Sequence, residues 1–156
     1  MSEITVAELS LQLVLGVRKR GKYEIIPTMI AQVCRFAVEQ GLEIVGPPTF
    51  VCHETSAEAA ERANEEGTAD VEIAVPVDHK IDGTDEIRCY ELPGGTTARI
   101  VHQGPYEECT PTYERLFAWI GAEGKRIAGP IREVYLNDPR EVAPEEILTE
   151  IYAPIQ

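Results

Sequence analysis

The residues best suited to do chemistry lie in the second half of this 156-residue chain. Two short segments, Arg132-Glu133-Val134-Tyr135-Leu136 and Thr149-Glu150-Ile151-Tyr152-Ala153, each carry a Glu-x-Tyr pattern. Successive strand side chains alternate between faces, so each segment sets a carboxylate and a phenol on one side and apolar residues on the other. If the two pair as an antiparallel hairpin, each Glu lies near the other strand's Tyr, and the patch alternates carboxylate and ring. Such a patch suits an organic cation or a polarised heterocycle, through ion pairing and cation–π contact. The same letters would also serve a merely solvated face.

An internal repeat must position these side chains. At an offset of 83, Glu8 and Leu9 land on Glu91 and Leu92, Gly21 and Tyr23 on Gly104 and Tyr106, and Gly41, Ile44, Gly46 and Pro47 on Gly124, Ile127, Gly129 and Pro130. Past an acidic insertion at 56–67 the offset falls to 78, and Glu72, Ile73 and Pro76 land on Glu150, Ile151 and Pro154. Each half is therefore one structural unit.

Leu11, Leu13, Leu15 and Val17 alternate as a strand whose counterpart is 97–103. A helix follows in each half, with Ile30, Val33, Cys34 and Ala37 on one stripe and Tyr113, Leu116, Phe117 and Ile120 on the other. Pro111 suits the first turn of its helix, and Gly41 and Gly124 suit the left-handed residue that ends each. Strands at 49–53 and 71–77, and at 132–136 and 149–155, complete an order of strand, helix, strand, strand, twice.

The expected fold is a single α+β domain of two tandem modules, about 5–80 and about 86–156, with pseudo-twofold symmetry. Antiparallel sheets carry the helices, a ligand cleft is expected at the junction, and Pro93-Gly94-Gly95 reads as a hairpin turn into the second copy. The insertion at 56–67 reads as a solvated acidic helix or loop.

Phe36 and Trp119 occupy equivalent positions about 100° from the centre of their helical stripes, placed either to wall the cleft or to pack in the core. The positions matching Glu133, Tyr135 and Tyr152 are Phe50, Cys52 and Ala74, so the first half offers an apolar wall and the second the polar groups.

Other chemistries find less support. Gly121-Ala122-Glu123-Gly124-Lys125-Arg126 lacks the earlier glycine and the following Ser or Thr of a phosphate loop. His53, His79 and His102 have no nucleophile motif beside them. Cys34, Cys52, Cys89 and Cys109 lie far apart without a C-x-x-C pair, which reads as reduced thiols of a cytoplasmic protein, and neither a metal nor a cofactor is expected. The net charge of −13, from 27 acidic and 14 basic residues, opposes direct binding to nucleic acid. The chain start has no signal-peptide pattern and no stretch is apolar enough to span a membrane, so a soluble protein is expected.

The segments HQGPYEE (102–108), LFAWI (116–120), GPIREVYLNDP (129–139) and TEIYAPI (149–155) resemble the GyrI-like (gyrase-inhibitor-like) effector-binding family, which also supplies ligand-binding domains of MerR-type and AraC-type multidrug regulators. The resemblance spans nearly the whole chain. It implies an aromatic-lined cleft with a buried glutamate that recognises amphipathic, cationic or polarised ligands. Glu150 is the best match to that glutamate and Glu133 the second, with Tyr113, Trp119, Tyr135 and Tyr152 at matching aromatic positions. No DNA-binding helix-turn-helix precedes residue 5, so a stand-alone binding protein that senses or sequesters small molecules is expected. The alternative is a hydrolase of strained electrophiles in which Glu150 or Glu133 acts as general base. The family name adds a third, weaker reading, an acidic surface that contacts DNA gyrase.

Overall fold

The computed structural model describes residues 3–156. In chain order its strands are β1 (Thr5–Leu9), β2 (Gln12–Gly21), β3 (Thr49–Cys52), β4 (Ala69–Pro76), β5 (Arg88–Leu92), β6 (Gly95–Gln103), β7 (Ile131–Tyr135) and β8 (Leu148–Pro154). The helices are α1 (Ile26–Glu39), α2 (Ala57–Glu66) and α3 (Thr110–Ala122). Two compact units result, one of residues 11–93 and one of residues 3–10 with 94–156. All strand pairs within them are antiparallel.

In the unit of residues 11–93 the strands run β3-β4-β2-β5. β4 is buried along its whole length, including Asp70 and Glu72, which sit among Val71, Ile73, Ala74 and Val75. Helix α1 packs on β2 and β4 and buries Met29, Val33 and Ala37. That stripe is rotated slightly from the expected one, which leaves Ile30, Cys34 and Phe36 half-buried. The acidic insertion forms α2, capped by the Ser56 hydroxyl accepting from the Ala59 amide and ended by Gly67 in the left-handed region. None of its residues is buried.

In the other unit the strands run β1-β6-β8-β7. Its core is Ala98, Ile100, Leu116, Ile120, Ile151, Ala153 and Ile155, with Tyr113, Trp119 and Ile131 packed against it. Each of these large aliphatic side chains contributes about 1.5–3 kcal/mol on burial. Leu116 and Ile120 come from α3, which therefore lies over the face of β6 and β8 that carries Ile100 and Ile151. Gly41 and Gly124, both at positive φ, follow α1 and α3 as expected.

Two expectations need correction. Pro93-Gly94-Gly95 does not turn a hairpin, because β5 pairs with β2 while β6 pairs with β1 and β8. Each repeat also opens with a strand the apolar pattern did not show, β1 and its equivalent β5, and each is paired within the unit dominated by the other repeat. The compact units thus differ from the repeats by an exchange of first strands. Both are sheet-edge segments, TVAEL and RCYEL, whose half-exposed pattern carries little apolar signal.

Candidate functional site

Strand β7 is short and alternates Ile131, Glu133 and Tyr135 on one face with Arg132 and Val134 on the other. Its register sets Glu133 opposite Ile151 and Val134 opposite Glu150. Glu133 and Tyr135 therefore share the face covered by α3, whereas Glu150 and Tyr152 lie on the reverse face. The single alternating patch expected from the two Glu-x-Tyr segments does not form, since a shift of one residue in pairing sends a side chain to the other face.

On the α3 face a polar cluster surrounds Glu133. Tyr113, in the first turn of α3, donates its hydroxyl to Glu133 Oε2, and Tyr135 donates to Oε1 at 3.2 Å. The Tyr106 ring stands edge-on to Tyr135 with centroids 5.6 Å apart, and Tyr113 lies 5.8 Å from Phe117. His102 is 6% exposed and uses both ring nitrogens. Its Nε2 donates to the Pro105 carbonyl at 3.0 Å, so in the neutral ring Nδ1 accepts from the Thr112 hydroxyl at 2.7 Å.

These surroundings set the electrostatics. Burial pushes the Glu133 carboxyl above the usual carboxylate range, opposed by the bonds from Tyr113 and Tyr135 and by nearby His102. Burial, with the Glu133 charge added, raises the Cys109 thiol to about 11 and also raises the Tyr106 hydroxyl. Among the described residues no Lys or Arg forms an ion pair with Glu133. Such a carboxylate can gain from a cation brought to it or take a proton from a bound molecule.

Glu150 is already neutralised. Arg99 reaches it through Nη2 as an ion pair and through Nε at 2.7 Å, and Tyr152 donates to the same oxygen at 3.1 Å. The repeat-equivalent Glu72 is also engaged, with His53 Nε2 at 2.6 Å on one oxygen and the Tyr90 hydroxyl at 2.5 Å on the other. Tyr90 can cross β2 because Gly16 has no side chain; a Cβ there would fall 2.2 Å from the Tyr90 hydroxyl.

Of the residues expected to bind, the structure brings Glu133, Tyr113 and Tyr135 together and places Glu150 with Tyr152 elsewhere in the same unit. Trp119 packs on the core under α3. Phe36 and Phe50 belong to the other compact unit, where Phe50 stands edge-on to Tyr23 at 5.8 Å. Tyr106, His102, Cys109 and Thr112 join the Glu133 cluster without having been singled out as binding residues. A usable signal for Tyr106 was its repeat partner Tyr23, which meets Phe50 at the position equivalent to Glu133.

Among the described residues no group of three His, Cys, Asp or Glu side chains is placed to hold a metal ion. No helix among them is long and apolar enough to cross a membrane.

The family description that matches is the GyrI-like small molecule binding domain, over residues 2–156. Among solved structures, the EcmrR C-terminal domain superposes with a TM-score of 0.85 at 19% identity, covering 100% of this chain and 98% of that one. The EcmrR chain in its DNA complex gives 0.86 at 19% identity over 99% of this chain, which spans only 57% of EcmrR there. A hydrolase from Listeria innocua gives 0.71 at 15% identity, covering 99% and 92%. SAV2435 bound to tetraphenylphosphonium gives 0.62 at 12% identity, covering 99% and 94%. At these identities the likeness is one of fold.

Proposed function

The chain belongs to the GyrI-like family of small molecule binding domains, and on that premise we propose that it binds amphipathic organic cations, with Glu133 as the countercharge. One observation carries this reading. Glu133 stands where the other repeat places Phe50, a ring 4% exposed, so a carboxylate occupies what its own copy treats as an apolar core position. Burying an ionised group there is costly without a compensating charge. A cation between the rings of Tyr106, Tyr113 and Tyr135 relieves that cost and gains cation–π contact.

SAV2435, a fold neighbour, is described as bound to tetraphenylphosphonium, which makes that cation a suitable probe. Titration calorimetry should give binding to the unaltered protein that weakens roughly 10- to 100-fold in Glu133→Gln, the worth of a bond to a buried charge. Glu150→Gln should change it little, since Arg99 already occupies that carboxylate. Equal affinity in Glu133→Gln would reject the reading.

The raised carboxyl of Glu133 also favours a second reading, as does the fold likeness to a protein described as a hydrolase. Here Glu133 takes a proton from water while the water oxygen bonds to a strained ring carbon, and the departing electron pair takes its proton from solvent. Incubation with epoxide- or cyclopropane-bearing compounds distinguishes the two, because stoichiometric binding without product rejects hydrolysis.

A further inference from the structure

Thr149 lies on β8, opposite His102 on one neighbouring strand and Tyr135 on the other, so its side chain shares the α3 face with the Glu133 cluster. It is 3% exposed, and its Oγ1 has no hydrogen-bond partner among the described residues. Buried hydroxyls ordinarily find partners, and Thr97 on β6 donates to the Ala7 carbonyl at 2.7 Å. The neighbours of Thr149 are otherwise engaged. Both ring nitrogens of His102 are committed to Thr112 and Pro105, and the Tyr135 hydroxyl goes to Glu133.

Glu133 is the diagonal cross-strand neighbour of Thr149, because Tyr135 faces Thr149 and Glu133 lies two residues back on the same strand face. An ionised carboxylate has about four acceptor positions, and the bonds from Tyr113 and Tyr135 fill two of them. Thr149 adds about two acceptor positions and one donor. The unfilled capacity of the site is thus mostly acceptor, and it calls for a ligand that brings N–H groups. A protonated primary or secondary amine can donate to both side chains from one nitrogen, at about 2.8 Å to each. A quaternary ammonium or phosphonium brings charge and no donor.

We propose that the site beneath α3 prefers protonated primary and secondary amines to quaternary cations, and that Thr149 is the residue that reads the N–H. This rests on the reading of Glu133 as the ligand's countercharge. The test uses a matched pair, an arylethylamine and its N,N,N-trimethyl analogue, titrated by calorimetry at neutral pH against the unaltered protein, Thr149→Val, Thr149→Ser and Glu133→Gln.

The amine should bind roughly tenfold tighter than the trimethyl analogue, the worth of one charge-assisted hydrogen bond. Thr149→Val, close in shape, should abolish that advantage while leaving the trimethyl affinity unchanged, and Thr149→Ser should restore it. Thermal unfolding of each variant confirms a folded chain. An unchanged amine preference in Thr149→Val overturns the proposal, as does equal weakening of both ligands, the outcome expected if Thr149 only holds a structural water. If Glu133→Gln weakens both ligands while Thr149→Val discriminates neither, the countercharge reading stands and only this inference fails. If Glu133→Gln changes neither, the countercharge reading itself fails.

Discussion

Replacing Tyr113 by Phe removes one hydroxyl and keeps the ring that packs on the core and lies 5.8 Å from Phe117. The lost bond is one of two that hold the buried Glu133 carboxylate in its ionised form. A hydrogen bond to a buried charge is worth about 1.5–3 kcal/mol. About 1 kcal/mol of that would remain with the protonated carboxyl, so about 0.5–2 kcal/mol is specific to the ionised form. At about 1.36 kcal/mol per pH unit, the carboxyl should titrate roughly a further half to one and a half units higher in the variant.

The sign of the pH dependence follows from the raised native pKa. The folded protein holds a proton at Glu133 more tightly than the unfolded chain, so stability falls as pH rises from the ordinary carboxylate value through the raised one. Tyr113 limits that fall by bonding the ionised form. Urea unfolding should therefore show Tyr113→Phe less stable than the unaltered protein by about 1.5–3 kcal/mol at pH 8, with the m-value unchanged. Below about pH 4 Glu133 is protonated in both states, and the difference should shrink to about 1 kcal/mol, the worth of a neutral hydrogen bond. A cost that is the same at both ends of this range would refute the assignment of Tyr113 as the support of an ionised Glu133.

Gly16→Ala should destabilise the protein by about 1–3 kcal/mol in denaturant unfolding, because the new Cβ meets the Tyr90 ring and hydroxyl. In a Tyr90→Ala background the same substitution should cost little, a coupling that ordinary loss of a strand glycine would not show. The Cys109 thiol, titrating near 11 through burial and then the Glu133 charge, should react slowly with iodoacetamide at pH 8. In Glu133→Gln the midpoint of its alkylation profile should move down while staying above an ordinary thiol, since burial persists. An unmoved midpoint would mean that the two groups are not electrostatically linked.

Much of the local structure was legible because its causes are local. Helices α1 and α3 follow from apolar residues at helical spacing, their ends from Gly41 and Gly124 at positive φ, and β4 from its mostly apolar, β-branched stretch VEIAVP. What escaped was set by pairing. Pro93-Gly94-Gly95 looks the same whether the following strand folds back on its neighbour or pairs with β1, and only contacts distant in sequence decide between them.

The site was legible in the same partial way. Glu133, Tyr135 and Tyr113 were readable as an acid among rings, but Glu150 ranked first, and preferring Glu133 to it requires knowing that Arg99, 51 residues away in sequence, lies beside Glu150. That the two Glu-x-Tyr segments face opposite ways depends on a register that slips parity with one residue. Thr149 could not have been noticed at all from its type, since an unpartnered hydroxyl is visible only once its neighbours are seen to be occupied.

The central claim, that Glu133 is the countercharge for a cationic ligand, is tested most directly by a crystal structure of the protein with tetraphenylphosphonium. The cation should lie beneath α3 among the rings of Tyr106, Tyr113 and Tyr135, within about 6 Å of their centroids, with the Glu133 carboxylate as its nearest acidic group. A cation found beside Glu150 with the Arg99 pair opened, or on the acidic surface of α2 at Glu58, Glu61 and Glu65, would contradict it.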